Sequence, residues 1–88
     1  FDAMPFVSGL MRRRGVVVFR CYATTPICGP ARATLLTGQY AHNHGMLRNN
    51  AEGGGFHTFH LLGREQSTLA TWLHDGGYRT ALVGKYLN

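Results

Sequence analysis

The stretch CGPARATLLTG, residues 28–38, determines the local fold at the centre of this 88-residue chain. Pro30 carries the fixed backbone angle of a first helical turn, and Gly38 follows the last turn as a helix-terminating glycine. These signals predict a helix over residues 30–37 with Cys28 at its N-terminal edge. Because free N–H groups and the positive end of the helix dipole face outward there, this edge suits an anion or a thiolate.

Arg32 lies one helical turn after Cys28, at the four-residue spacing that brings two side chains to one face. Its guanidinium can therefore hold oxyanions, or an oxygen on residue 28, beside the start of the helix. Gly29 allows close approach of the backbone. A C-x-P-x-R spacing alone also fits a buried cysteine beside a structural arginine, so the flanking sequence has to decide between the two interpretations.

Upstream of this helix, a helical pattern leads into an extended one. Pro5 starts a segment in which apolar side chains recur every three or four residues and which Gly15 stops, so we predict a helix over residues 5–14. The arginines at positions 12–14 end this helix, where cations complement its dipole. Residues 16–19 are continuously apolar and β-branched or aromatic, which predicts a strand covered on both faces.

Downstream, residues 39–66 are rich in Gly, Asn and His and show no sustained periodicity. We predict a long loop here, which can include short strands, and loops of this length in compact domains are usually functional or mobile. Ser67 is the predicted N-cap of a third helix, which Gly76 and Gly77 close. Residues 78–83 predict a second buried strand.

The order helix, strand, helix, loop, helix, strand indicates an α/β protein with a mainly parallel sheet. A chain of 88 residues is long enough for one modest core. We expect both ends to continue in a longer protein, because there is no initiator methionine and the chain stops directly after a strand-like run. Hydrophobic residues at 44% and charged residues at 15% are typical of folded material, and no apolar run is long enough to span a membrane.

The charge balance favours anionic partners. Nine Lys and Arg residues against four Asp and Glu residues give a net charge of +5, which suits nucleic acid, acidic lipid or sulfated glycans. Nucleic acid is disfavoured, because the chain has neither interleaved aromatic and basic side chains nor a helix-turn-helix pattern. Cys21 and Cys28 are too few for a disulfide scaffold and match neither a zinc ribbon nor a C-x-x-C redox pair.

The sequence around Cys28 resembles the signature of the sulfatase family. The C-x-P-x-R motif with its LTG continuation is highly specific for that family, and further matches follow in the family's order over nearly the whole chain. The matching segments are MP at 4–5, ATTP at 23–26, CGPAR at 28–32, LTGQY at 36–40, HNHG at 42–45, GYRT at 77–80 and GKYLN at 84–88. The resemblance implies a three-layer, alkaline-phosphatase-like α/β fold, with residues 1–88 as an incomplete N-terminal part of the catalytic domain.

The resemblance also implies the chemistry. A maturation enzyme would oxidise Cys28 to formylglycine, whose hydrated aldehyde is the nucleophile that attacks a small-molecule or glycan sulfate ester. The matured residue 28 would also be one ligand of a divalent cation, usually Ca²⁺. The family's other cation ligands, an Asp-Asp pair and an Asp-Asn pair, have no counterpart in this sequence. We therefore expect the 88 residues alone to be inactive, and we assign Cys28, Arg32 and Lys85 as the catalytic residues.

Lys85 follows the predicted strand over residues 78–83, at the end of a parallel strand where open α/β sheets place their ligands. It matches the sulfatase lysine that contacts sulfate and the formylglycine. Many sulfatases have a histidine two residues later, where this chain has Leu87, so that histidine's role is not transferred. For His42 and His44, which lack further ligands nearby in sequence, hydrogen bonding within the loop is favoured over a metal site.

Two other functions stay open. A phosphoester or phosphonate hydrolase of the same superfamily makes similar demands on helix termini and cations, and a non-catalytic anion-binding remnant would use the basic surface alone. Among sulfatases, residues 49–53 and 84–88 look most like those of N-acetylglucosamine-6-sulfatases, so we expect a sulfated amino sugar as substrate, with a surface loop free of substrate as the alternative. A secreted, periplasmic or lysosomal location follows from the family resemblance alone.

Overall fold

The computed structural model describes residues 3–50 and 52–88. Within these two ranges, five α-helices, one π-helical segment and one 3₁₀ turn follow one another along the chain. In order they are the π-helical segment Val7–Met11, α1 (Arg12–Arg14), α2 (Cys28–Thr37), α3 (Ala41–His44), α4 (Gly55–Leu61), the 3₁₀ turn Arg64–Gln66 and α5 (Leu69–Asp75). None of these described helices is long and apolar enough to cross a membrane.

The predicted central helix is confirmed as α2, although it begins two residues before Pro30. Ile27 is its N-cap in an extended conformation (φ −127°, ψ 139°), and Cys28 is its first residue. Gly38 ends the helix in the left-handed conformation (φ 68°), where its N–H donates to the Thr34 carbonyl at 2.8 Å. A side chain at this φ would be strained, so glycine fixes the end of the helix.

The predicted N-terminal helix over residues 5–14 is also confirmed, with a wider first part than expected. The π-helical segment Val7–Met11 runs directly into α1. The Gly15 N–H donates to the Met11 carbonyl at 2.7 Å, and the chain then becomes extended. The three arginines of α1 lie exposed at this end, where they complement the helix dipole.

The third predicted helix is α5, and its N-cap is Thr68 rather than Ser67. The Thr68 hydroxyl accepts from the Thr71 N–H at 3.3 Å, and the Thr71 hydroxyl accepts from the Thr68 N–H at 2.8 Å, which makes a reciprocal capping box. Ser67 has another partner, because its hydroxyl accepts from the indole N–H of Trp72 at 3.0 Å. The predicted end is confirmed at Gly76, which is the C-cap.

The prediction of a long loop with short strands over residues 39–66 is wrong. The described residues of this stretch form α3, α4 and the 3₁₀ turn, and their only strand-like feature is an isolated parallel bridge between Arg48 and Gly54. Glycines with positive φ, at Gly45 (79°) and Gly63 (64°), break the chain into pieces of three to seven residues. Such short helices show no sequence periodicity because they contain two turns or fewer.

The two predicted strands are not formed in the described part of the chain, so its predicted parallel sheet is not observed. Residues 16–19 and 78–83 do not pair with each other or with another segment, and a strand exists only through hydrogen bonds to a neighbour. Their apolar side chains are exposed, for example Val16 (91%) and Val83 (99%). The radius of gyration is accordingly 15.3 Å, against about 12 Å for a compact domain of this length.

A small core holds the central elements together. It consists of the fully buried side chains of Ala33, Met46 and Phe59, against which Leu36, Tyr86 and Leu87 pack. These residues come from α2, from the turn after α3, from α4 and from the C-terminal segment. The core therefore fixes the segment that contains Lys85 against the helix that begins at Cys28.

Candidate active site

Cys28 stands at the exposed N-terminus of α2. Its thiol is free, and the chain changes from extended to helical conformation between Ile27 and Cys28. The structure thus places the predicted nucleophile at the helix edge where the sequence predicts it. An exposed side chain at this end of a helix is accessible to an anionic substrate, which the positive end of the dipole attracts.

The start of α2 offers fewer hydrogen-bond donors than the sequence suggests. An α-helix leaves the N–H groups of its N-cap and first three residues without helical partners. Here the Ile27 N–H donates to the preceding turn at 2.9 Å, and the Gly29 N–H donates to Asn49 Oδ1 at 2.7 Å. Pro30 has no N–H. Fewer free N–H groups than expected are therefore left at this end of α2, where the helix dipole remains to attract an anion.

Arg32 and Lys85, the two predicted cationic residues, lie side by side. Arg32 Nη1 donates to the backbone carbonyl of Lys85 at 3.5 Å, although 53 positions separate the two residues. Both line a surface cavity of about 190 Å³. The lining residues are Arg32, Leu35, Leu36, Leu82, Lys85 and Tyr86. The structure thus brings together two of the three predicted catalytic residues, with Cys28 one helical turn before Arg32 and outside this lining.

The two segments predicted to contact the sugar, residues 49–53 and 84–88, approach each other at the start of α4. The Phe56 N–H donates to the Asn88 carbonyl at 2.6 Å. A Cβ atom on Gly55 would lie 2.9 Å from the Asn88 carbonyl oxygen and 3.2 Å from the Asn49 carbonyl oxygen, so glycine is needed for this approach. Asn49 and Asn88, one from each segment, therefore approach the same glycine at the start of α4, while position 51 lies outside the described residues.

His44 has the structural role that the sequence favours. It is fully buried, its Nδ1 accepts from the Met46 N–H at 3.0 Å, and its Nε2 therefore carries the proton and donates to the Thr34 hydroxyl at 3.1 Å. Burial lowers the pKa of His44 below its usual 6.5, and the charges of Arg64 and His42 lower it further, against a backbone hydrogen bond at Pro30. A neutral imidazole thus links the end of α3 to α2.

Two residues that link the elements around α2 and α3 were missed by sequence reasoning. Arg64 donates from Nε to the His44 carbonyl at 3.2 Å and from Nη2 to the Asn43 carbonyl at 2.9 Å, which caps the C-terminus of α3. Asn49 accepts the Gly29 N–H from 20 positions away. Arg64 has a weak sequence signal, since basic residues often bind the last carbonyls of a helix. Asn49 has none, because a single hydrogen bond between distant residues leaves no pattern in the sequence.

The residues present do not fit a cation site by themselves. Cys28 is a candidate ligand only after oxidation. Within residues 3–50 and 52–88, no group of three or more His, Cys, Asp or Glu side chains is arranged to hold a metal ion. A hard cation such as Ca²⁺ takes six to eight oxygen ligands, so this stretch could contribute no more than part of such a site.

Comparison with known proteins decides the family. The family model described as Sulfatase matches residues 2–88 of this chain. The chain belongs to the sulfatase family. Membership implies an alkaline-phosphatase-like α/β fold. The described residues of this chain form helices and contain no strand of that fold's sheet.

Curated sulfatases match nearly the whole chain. It is 44% identical over 99% of its length to the putative extracellular sulfatase Sulf-1 homolog of Caenorhabditis elegans, and covers 12% of that protein. It is 40% identical over 96% of its length to an arylsulfatase of Chlamydomonas reinhardtii and 35% identical over 92% to human N-acetylglucosamine-6-sulfatase, covering 13% and 15% of them. The chain thus spans a small part of these sulfatases. No solved structure gives a significant match.

Proposed function

We propose that the full-length gene product hydrolyses sulfuric esters, with residue 28 as the nucleophile after oxidation of Cys28 to formylglycine. The observation that carries this proposal is the hydrogen bond between Arg32 and the peptide of Lys85, 3.5 Å long. This bond joins the Arg32 side chain to the backbone of Lys85, and Arg32 lies one helical turn after residue 28, which supports a shared role for the three residues. A sulfate ester needs positive charge around its oxygens on the side from which a nucleophile attacks.

The hydrated aldehyde of residue 28 would act through its two hydroxyl groups. One hydroxyl oxygen attacks the sulfur and loses its proton, while the sulfur–oxygen bond to the alcohol breaks and the alcohol takes up a proton. Residue 28 then holds a covalent sulfate ester, so one difficult displacement is split into two easier steps. The second hydroxyl loses its proton and re-forms the carbonyl as sulfate leaves, and water restores the hydrate.

Arg32 and Lys85 would hold the sulfate during both steps. The Arg32 side chain is half-buried, and only one of its five N–H donors is used by Lys85, which leaves donors for sulfate oxygens. Lys85 adds a compact positive charge. A bound divalent cation, which we propose to be Ca²⁺, would supply further charge neutralisation at the sulfate, with residue 28 as the one ligand from this chain.

For the substrate we propose a sulfated amino sugar, which rests on residues 49–53 and 84–88. The hydrogen bond from Phe56 to Asn88 and the approach of the Asn49 carbonyl oxygen to Gly55 support this proposal, because they bring one residue of each segment to the same end of α4. Asn side chains offer paired donors and acceptors for hydroxyl and acetamido groups, and the nearby glycines permit a sugar ring to approach. One relative is named N-acetylglucosamine-6-sulfatase.

We further propose that residues 1–88 are an incomplete part of the catalytic domain. A formylglycine-generating enzyme would be the maturation partner, and a secreted, periplasmic or lysosomal location would bring the enzyme to glycan sulfates. Because this stretch does not fit a cation by itself, the isolated 88 residues should not hydrolyse a sulfate ester even after oxidation of Cys28. Ca²⁺-dependent sulfate release by the isolated chain would contradict this.

The decisive experiment compares an aryl sulfate with the matching aryl phosphate as substrates of the full-length gene product. Peptide mass spectrometry gives the fraction of formylglycine at residue 28 in the same sample. We expect formylglycine and a higher kcat/KM for the sulfate. Preference for the phosphate would favour the phosphoester hydrolase alternative, and salt-dependent polyanion binding without turnover would favour the non-catalytic one.

The substrate is tested separately. We expect kcat/KM to be higher for 6-sulfated N-acetylglucosamine than for a simple aryl sulfate or for 4-sulfated N-acetylgalactosamine. Equal values would remove the amino-sugar assignment and leave sulfatase activity in place.

A further inference from the structure

We propose that Asn49 is a positioning residue for the nucleophile: its side-chain carbonyl holds the Gly29 N–H and thereby fixes the direction in which side chain 28 leaves α2, without adding negative charge. This inference rests on the proposed function, since it concerns the same nucleophile. Its basis is the 2.7 Å hydrogen bond from Gly29 N to Asn49 Oδ1.

The hydrogen bond acts on the peptide group that follows residue 28. Because the N–H of Gly29 belongs to the plane that includes the carbonyl carbon of residue 28, holding this N–H restricts rotation about the backbone of residue 28. The contact is close on the Gly29 side as well. A Cβ atom there would lie 3.0 Å from Asn49 Oδ1 and 3.3 Å from Met46 Cε, so the bare backbone of Gly29 packs directly against its partner.

Asn49 is itself held by the turn that carries it. Before it, the Met46 N–H is bound by the buried imidazole of His44 at 3.0 Å, and the Met46 side chain lies in the core. After Met46, the Leu47 N–H donates to the Gly53 carbonyl at 3.0 Å, and Arg48 is bridged to Gly54. The Asn49 side chain is half-buried. The acceptor is thus placed before substrate arrives, as positioning requires.

The amide is suited to this position because it is neutral. An aspartate at the same place would accept the same hydrogen bond and interact more favourably with the positive end of the helix dipole. It would also place a negative charge beside the sulfate and weaken its binding. Two substitutions of Asn49 therefore test two effects independently. Asn49→Ala removes the hydrogen bond that orients residue 28, and Asn49→Asp keeps this bond but adds a negative charge.

The test uses the full-length gene product, coexpressed with a formylglycine-generating enzyme, as wild type, Asn49→Ala, Asn49→Asp and the matched charge control Asn43→Asp. Asn43 is exposed on α3. For each protein we would measure the formylglycine fraction at residue 28, Tm, kcat and KM for an aryl sulfate, and inhibition by inorganic sulfate. Kinetic constants are divided by the formylglycine fraction.

We expect Asn49→Ala to lower kcat about tenfold with KM near the wild-type value, since orientation is lost. Asn49→Asp should keep Tm and most of kcat, but raise KM and the sulfate inhibition constant about tenfold through charge repulsion. Asn43→Asp should match the wild type. If Asn49→Ala does not fold, the KM and sulfate inhibition of Asn49→Asp decide the question.

Wild-type kcat in Asn49→Ala, or wild-type sulfate inhibition in Asn49→Asp, would overturn the role of Asn49 and leave the proposed function intact. An unmodified thiol at residue 28 in the active wild type would instead overturn the proposed function, and this inference with it.

Discussion

The Arg32 guanidinium and the Lys85 backbone carbonyl are joined by a hydrogen bond of 3.5 Å that links α2 to the C-terminal segment. The link is possible because the core holds both ends: Ala33 and Leu36 of α2 pack in the same cluster as Tyr86. This hydrogen bond restricts the guanidinium of Arg32 and leaves its other N–H donors available. The Arg32 side chain is therefore held beside the backbone of Lys85, one helical turn after Cys28.

Arg32 should contribute more to activity than its charge alone. We predict that Arg32→Ala lowers kcat/KM for an aryl sulfate about 10²-fold and that Arg32→Lys recovers only part of this loss, because an ammonium group lacks the planar, multidentate donors. Arg13→Ala removes the same charge from exposed α1 and is the control. Steady-state kinetics of the full-length gene product measure all three. Equal kinetics for Arg32→Ala and Arg13→Ala would contradict the assignment.

The cysteine at position 28 should be needed for chemistry and not for folding. Cys28→Ala should reduce sulfate-ester turnover to background, whereas the free energy of unfolding should change by less than about 0.5 kcal/mol, because the side chain is exposed. Cys21→Ala is the matched control, since Cys21 is also free and exposed. This control should keep formylglycine at residue 28 and wild-type turnover. Turnover by Cys28→Ala at the wild-type rate would exclude residue 28 as the nucleophile.

Local signals predicted the site helix well. Pro30 and Gly38 act on the backbone within a few residues of themselves, so the helix and the Cys28–Arg32 spacing follow from sequence alone. The neighbourhood of Arg32 and Lys85 does not follow from such signals. The site position of Lys85 was expected from the resemblance to sulfatases and from its place after a predicted strand, and the structure shows the contact with Arg32 without that strand at residues 78–83.

Two of the prediction errors share a physical cause, which is dependence on partners that are distant along the chain. Residues 16–19 have strand propensity, but a strand needs a paired neighbour, and none pairs with them in the described residues. The free N–H groups at the start of α2 are fewer than expected because Asn49, the acceptor of the Gly29 N–H, lies 20 positions away along the chain. The shift of the α5 cap from Ser67 to Thr68 is a smaller error, since both residues carry a suitable hydroxyl.

The cap of α5 can be tested by comparing these two hydroxyls. We predict that Thr68→Ala costs about 1 kcal/mol of unfolding free energy, because Thr68 accepts from the Thr71 N–H in the capping box. Ser67→Ala should cost less than about 0.5 kcal/mol, because it loses only an exposed hydrogen bond from Trp72. Urea denaturation of the full-length gene product measures both. A larger loss for Ser67→Ala would restore Ser67 as the cap.

His44 should make stability depend on pH in a defined direction. Burial, then the charges of Arg64 and His42, lower the pKa of His44 below 6.5 in the folded protein. The unfolded chain therefore takes up a proton at this position at higher pH than the folded protein does. The stabilising contribution of neutral His44 is fully present above about pH 6.5 and is lost as the pH falls from there towards the lowered pKa.

The variant His44→Asn isolates this effect. An asparagine carbonyl can accept the Met46 N–H in place of Nδ1 but cannot titrate, so the fall in unfolding free energy between pH 7 and pH 5 should be smaller than in the wild type. The same substitution at exposed His57 is the control and should leave the wild-type pH dependence in place. Urea denaturation at several pH values measures the unfolding free energy of each protein. If this free energy fell equally with pH in the wild type and in His44→Asn, the link between α3 and α2 would not depend on a neutral imidazole.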